Sequence, residues 1–189
     1  MGQSRSIVNR MVRAAMLETN LYEEVEADTK ATGQALLVVL IYSICAGIGS
    51  GLGDFSDITA GGFFLNLLWG VLAALGFWFI WSFITYFIGT RVFKGQETSA
   101  SYSELLRTLG FSAAPGVLMI LAFVPFVGWL ISLAALVWMF IAMVMAVRQA
   151  LDFTTGRAIG TCAVGGVIYL ALALIVGLLL GLGAFLFPW

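Results

Sequence analysis

The sequence predicts an all-α membrane protein that crosses the bilayer five times, with an amphipathic helix before the first span. Three observations lead to this prediction. Of the 189 residues, 61% are hydrophobic and only 10% are charged, whereas soluble domains contain about 25% charged residues. The apolar residues form uncharged runs long enough to cross a bilayer. The basic residues all lie between or before these runs, on what would be one side of the membrane.

Four uncharged runs follow the first 30 residues, at 31–53, 58–90, 108–147 and 158–189. The third run is about twice as long as the roughly 20 residues that one crossing needs. Pro125 and Gly128 interrupt it, and proline removes a helical hydrogen-bond donor, so this run is predicted to form a helical hairpin. The membrane domain is therefore assigned to 31–189, with spans at about 33–53, 61–89, 110–124, 128–149 and 158–186. The third span is short and contains Pro115, so a segment that enters the membrane without crossing it is an alternative.

The distribution of charge predicts the orientation of these spans. Basic residues occur before the first span, between the second and third, and around the connection from the fourth to the fifth: Arg5, Arg10, Arg13, Lys30, Arg91, Lys94, Arg107, Arg148 and Arg157. The opposite side receives Asp54 and Asp57 and no basic residue. Because cytoplasmic loops accumulate Lys and Arg, we expect a cytoplasmic N-terminus and a C-terminus on the other side.

Residues 1–30 are predicted to form a cytoplasmic, amphipathic arm. Apolar residues recur there at helical spacing beside Arg5, Arg10 and Arg13, a pattern typical of a helix that lies in the membrane interface. A second short helix is expected after it, with Asn20 as its N-cap and Glu23 at the capping-box position.

Ionisable residues gather at the cytoplasmic boundary of the predicted spans: Glu104, Arg107, Arg148, Asp152 and Arg157. Ser101 and Glu104 have capping-box spacing, so residues 101–109 are predicted to form a short helix along the membrane. Arg148 and Asp152 are four residues apart, which predicts an ion pair on one helix face. The alternative is that the cluster lines an access route for an ion, a lipid headgroup or a cytoplasmic partner.

Glycines spaced four residues apart mark two helix faces, Gly47 with Gly51 in the first span and Gly177 with Gly181 in the fifth. Small residues let helix backbones approach closely in lipid, either within one subunit or between subunits. The chain has no histidine, its net charge is −1, and Cys45 and Cys162 are far apart. The sequence therefore predicts no catalytic residue, no metal site, no cofactor and no nucleic-acid partner.

Residues 102–107 and 109–115 resemble the Yip1 family of five-span membrane proteins, and the resemblance continues through Pro125, Gly128, Trp138 and the segments 147–151 and 155–159. It implies five spans with a cytoplasmic N-terminus. Eukaryotic members are associated with vesicle traffic and Rab GTPases, and they carry an Asp-Leu-Tyr-Gly-Pro motif before the spans. Only Leu21 and Tyr22 match that motif here, which argues against a Rab-type partner. The overall pattern resembles prokaryotic members, and we expect a bacterial inner-membrane protein.

These observations predict a non-enzymatic integral membrane protein that acts by association within the membrane, in contact with lipids and with itself or another membrane protein. A homo-oligomer is the leading expectation, because the glycine faces suit helix association. The alternative is a channel or transporter for a small solute or lipid, with the polar cluster around its cytoplasmic mouth. Two features argue against transport: no ionisable residue lies near the middle of a span, and the two halves show no internal repeat.

Overall fold

The computed structural model of the chain describes residues 6–52, 59–94 and 100–186, apart from the side chains of residues 60 and 179–186. In this part of the chain there are seven α-helices, one 3-10 helix and no strand, so the predicted all-α class is confirmed. The elements are α1 (Ile7–Ala15), α2 (Thr19–Ala27), α3 (Ala31–Gly51), α4 (Ala60–Arg91), α5 (Tyr102–Ser112), the 3-10 helix (Ala114–Phe123), α6 (Gly128–Ala150) and α7 (Thr155–Leu186). Arg5, Asp54 and Asp57 lie outside the described residues, and so do the surroundings of Gly181.

Within the described residues, five segments are long and apolar enough to cross a membrane: α3, α4, Tyr102–Phe123, α6 and α7. Contacts between them show that they alternate in direction. At one end of the bundle Gly110 faces Ala35 and Gly89 faces Leu151, while at the other end Gly51 faces Phe63. We call the first end, which also carries α1 and α2, the arm side, and the second end the far side.

The third span differs from its prediction. Ser101 and Glu104 form the expected capping box, but the helix continues to Ser112 and leads through Ala113 directly into the 3-10 helix. Pro115, which has no N–H donor, stands in the first turn of that 3-10 helix. A 3-10 helix rises about 2.0 Å per residue. With α5 it makes Tyr102–Phe123 a single apolar segment of 22 residues, long enough to cross the membrane, where a separate surface helix and a short span were expected.

Helix α5 lies at the centre of the arm side. Every residue from Leu105 to Ser112 is buried, so the helix is enclosed on all sides. It packs against α2, α3, α4 and α6. The indole Nε1 of Trp78 donates to the carbonyl of Leu106 at 3.0 Å, which ties α4 to α5. A helix surrounded in this way leaves little apolar surface for lipid.

Glycines set the spacing between α3 and its neighbours. Gly49 lies against the carbonyl of Met119 in the 3-10 helix, and a Cβ at Gly110 would lie 2.7 Å from the Cβ of Ala35. Gly47 and Gly51, which the sequence singled out, face Leu67 and Phe63 of α4 in the same chain. A Cβ at Gly177 would meet no atom within 4 Å. The face of Gly47 and Gly51 is therefore covered by the chain itself, whereas Gly177 is open.

The arm forms two helices, but the second does not begin as expected. Helix α2 starts at Thr19 with Glu18 as N-cap and has no side-chain cap, so the predicted capping box of Asn20 and Glu23 is wrong. Leu17, with φ 60°, makes the turn between the helices. This tight turn places the acidic side chains of α2 opposite the arginines of α1. The carboxylates form ion pairs with these arginines and do not cap α2.

Replacing Gly110 by Ala is expected to destabilise the bundle by about 1–3 kcal/mol, because the added methyl group overpacks the contact with α3. Gly76→Ala is the matched control: it also lies within a span, but a Cβ there would meet nothing within 4 Å. The control should be neutral or slightly stabilising, because alanine is the better helix former. Thermal unfolding in detergent measures both, and equal melting temperatures would contradict this account of α3 packing.

Candidate functional site

The arm is held to the bundle by a buried arginine on α1. Arg10 is 1% exposed, and its Nη2 lies 2.8 Å from a carboxylate oxygen of both Glu24 and Asp28. Its Nη1 donates to the side chain of Gln34 on α3 at 2.8 Å. A buried charge is tolerated only when it is paired and hydrogen-bonded, and Arg10 meets both conditions. It joins α1, α2 and the start of the first span.

Helix α1 is amphipathic in the opposite sense to a typical interfacial helix. Arg13 pairs with Glu18 at 2.8 Å and Glu24 at 2.6 Å, and it points into the protein with Arg10. The outward face is apolar, because Val8, Val12 and Met16 are 64%, 47% and 67% exposed. The arginines turn inward because the carboxylates of α2 lie within reach. The position of α1 in a membrane interface remains a prediction.

Arg107 joins α5 to the end of α2. It is 4% exposed, its Nε donates to the carbonyl of Val25 at 2.9 Å, and its Nη2 donates to the carbonyl of Glu26. Both carbonyls belong to the last turn of α2, where backbone acceptors have no partner within the helix and the helix dipole favours a cation. Arg107 thus caps α2 from inside the bundle.

Two further hydrogen bonds place the arm against α6. The indole Nε1 of Trp138 donates to the carbonyl of Ala15 at 2.8 Å, and the amide of Gln149 donates to Glu23 at 2.8 Å. Tyr22 of α2 is fully buried. Four elements therefore hold the arm: α3, α5, α6 and, through packing with α1, the 3-10 helix.

A cluster of carboxylates surrounds Glu26 on the arm side. Burial raises the pKa of Glu26 to about 7, with smaller contributions from the charges of Glu104 and Asp152. Arg107 opposes this shift, and Glu23 adds to it. The structure thus brings together Glu104, Arg107 and Asp152, as the sequence suggested, and adds Glu26. Sequence reasoning missed Glu26 because its only signal was one acid among several on a solvated arm.

The other predicted members of the cluster have different surroundings. Helix α6 ends at Ala150, and Asp152 follows it with φ 51°, so it does not share a helix face with Arg148. Among the described residues no ion pair joins the two, and the predicted pair is absent for this reason. Arg157 lies exposed in the first turn of α7. Within 6–52, 59–94 and 100–186, no three Cys, Asp or Glu side chains form a group that could hold a metal ion.

Replacing Arg107 by Met is expected to loosen the arm, because two carbonyls of α2 lose charge-assisted hydrogen bonds worth about 1.5–3 kcal/mol. Hydrogen exchange of residues 19–27 should then be faster. Arg157→Met is the matched control and should leave that exchange unchanged, since Arg157 is exposed and its side chain makes no hydrogen bond among the described residues. Equal protection of α2 in both variants would contradict the capping role of Arg107.

The pKa of Glu26 predicts how pH acts on the arm. Between about pH 4.5, near the ordinary pKa of a glutamate, and about pH 7, the folded protein holds a proton at Glu26 that the unfolded chain has lost. Stability therefore falls as pH rises through this window. Glu26→Gln should remove this part of the pH dependence.

Thermal unfolding from pH 5 to pH 8 measures the effect, with Glu23→Gln as the control, because it removes only the smallest contribution to the raised pKa of Glu26 and keeps the carboxyl group that titrates. The fall in melting temperature from pH 5 to pH 8 should be smaller in Glu26→Gln than in the wild type or the control. If the three proteins share one pH profile, Glu26 does not titrate in this range.

The comparison with protein families agrees with the topology described above. The family model of the Yip1 domain matches residues 20–187, which extend from α2 to the end of the fifth span. No curated protein and no solved structure matches the chain. The match takes in the buried α5, the arginine that caps α2 and all five membrane-crossing segments, and the chain belongs to the Yip1 domain family of integral, multi-pass membrane proteins.

Proposed function

We propose that this chain is a non-enzymatic membrane protein that acts by association within the bilayer, as a homo-oligomer. Its arm side faces the cytoplasm, in a bacterial inner membrane. The orientation is supported by the described basic residues, which lie on the arm or at the arm-side ends of the spans. The observation that carries the association is the open surface of α7.

Helix α7 packs against α4 along its arm-side half, where a Cβ at Gly165 would lie 3.4 Å from side-chain atoms of both Trp81 and Ile84. Every residue from 170 to 178, the last whose burial the structure describes, is exposed. Residues 170–178 of α7 are therefore free to contact another molecule within the membrane.

Small residues follow one face of α7, from Gly166 in the packed half to Ala173 and Gly177 in the exposed part. Gly166, Ala173 and Gly177 recur at intervals of seven and four residues, which places them on the same side of an α-helix. A Cβ at Gly166 or Gly177 would meet no atom within 4 Å. Small residues at such spacing let two membrane helices approach closely. A second copy presents the same face, and a two-fold contact between two α7 helices would cover both.

The second candidate function is a channel or transporter for a small solute or lipid. Cavities between the spans favour it, and they carry no charged side chain among the described residues that line them. Arg107, expected near a cytoplasmic mouth, instead binds the carbonyls of α2. These observations favour an uncharged or lipid ligand over an ion.

Replacing Gly177 by Leu is expected to weaken self-association about tenfold or more, equivalent to about 1.4 kcal/mol, because the side chain holds the two helices apart. Gly156→Leu is the control. Gly156 lies on the same helix at its arm-side end, and a Cβ there would meet no atom within 4 Å. Photobleaching of single fluorescent particles in dilute liposomes counts the subunits. A monomeric wild type, or a Gly177→Leu protein with unchanged subunit number, would overturn the association through α7.

A further inference from the structure

Two adjoining cavities run through the bundle along α4. The serine chamber, about 470 Å³, lies toward the far side and is lined by the polar residues Ser43, Ser50, Asn66 and Ser132. The aromatic chamber, about 540 Å³, lies toward the arm side and is lined by Phe77, Trp78, Trp81, Met139, Phe140 and Met143. Tyr42 and Gly70 line both chambers, so the chambers adjoin at these residues, and we call the two together the path.

The path ends at α5 on the arm side and is open laterally. Leu109 and Ser112 of α5, with Ala113 after them, line its arm-side end. The ring of Tyr169 on α7 meets the ring of Phe77 edge-on, with centroids 5.0 Å apart. Residues 170–178 of α7, which follow Tyr169, are exposed. The lining residues Leu136 and Phe140 on α6 are 53% and 50% exposed, so the cavity faces the lipid between α4 and α6.

Two polar groups that line the serine chamber make no hydrogen bond among the described residues: the amide of Asn66, which is exposed toward the outside of the bundle, and the hydroxyl of the half-buried Tyr42. In a hydrocarbon environment an unpaired polar group costs several kcal/mol. The hydroxyl groups of Ser43, Ser50 and Ser132 donate to carbonyls of their own helices and keep lone pairs free to accept. The far-side end of the path can therefore both donate and accept hydrogen bonds.

We propose that this path is a binding site for a membrane glycerolipid. One acyl chain occupies the aromatic chamber, and the glycerol and ester region lies in the serine chamber near Asn66. Asn66 and Trp81 are fifteen residues apart on α4, a rise of about 22 Å, which suits an extended acyl chain with its ester group. Because no charged side chain lines either chamber among the described residues, the site recognises the uncharged part of the lipid and not its headgroup.

The site does not depend on the association proposed for α7, and it narrows the second candidate function by naming a ligand class. A lipid that is bound without being moved would support the site and argue against transport.

A glycerolipid with a photoreactive diazirine at the end of one acyl chain tests the site directly. The protein is placed in nanodiscs containing this probe, either as a phospholipid or as a neutral diacylglycerol, and the labelled residues are mapped.

We expect both probes to label residues 77–81 on their cavity face, and residues 139–143. Gly70→Phe should reduce this labelling about tenfold, the effect of some 1.4 kcal/mol in affinity. A Cβ at Gly70 meets no atom within 4 Å, so the ring fills the junction of the chambers without disturbing the packing around it. Gly76→Phe is the matched control on the same helix, because Gly76 is also open but lines neither chamber.

In the wild-type protein, labelling confined to outward residues of α4 such as Phe79 and Phe83 would overturn the proposal. Equal labelling of Gly70→Phe and the control would also overturn it. Labelling by the phospholipid probe alone would refute recognition of the uncharged part of the lipid. A monomeric Gly177→Leu protein should keep the labelling, and its loss there would mean that a second copy completes the site.

Discussion

The buried guanidinium group of Arg107 is the constraint on which the arrangement of the arm side depends. A charge at that depth needs several hydrogen-bond acceptors, and the last turn of α2 offers carbonyls that its own helix leaves free. The bond of Arg107 to Val25 and Glu26 therefore fixes α2 over the central helix α5. Once α2 is placed, Arg10 and Arg13 of α1 find their carboxylates. The arm is in this way a folded part of the membrane domain and not an independent tail.

This arrangement gives the arm-side surface two distinct properties. The cations of α1 are neutralised inside the protein, so the helix shows the outside an apolar stripe of Val8, Val12 and Met16. The carboxylates of Glu23, Glu26, Glu104 and Asp152 collect where α2 meets α5 and α6. Because Glu26 is half-buried and these acids repel one another, the pKa of Glu26 is raised to about 7, and we expect the docking of α2 to respond to pH near neutrality. Because charged groups hold the arm to the bundle, we expect a change in their charge to loosen it.

The glycines of the spans serve different purposes that their spacing does not distinguish. Gly49 and Gly110 bring α3 against the 3-10 helix and α5, and any side chain at these positions would collide with backbone or with Ala35. Gly70 and Gly177 stand in open space. The first kind is needed for the fold of one chain. The second kind leaves room that a ligand between the spans, or a second helix in the membrane, can occupy.

The sequence by itself determined the class of the protein, the number of spans, the turn at Pro125 and Gly128 and the capping box of α5, because each depends on local composition or on spacing along one helix. Only the tertiary structure decided the partners of the charged residues. Arg148 and Asp152 have the spacing of an ion pair, but the helix ends between them, while Arg107 reaches carbonyls on a segment some eighty residues earlier in the chain. The fusion of α5 with the 3-10 helix, the raised pKa of Glu26 and the path along α4 likewise depend on how elements distant in sequence meet. Periodicity records which face of a helix is apolar, but the group that meets a buried polar atom is set by the packing of several helices at once.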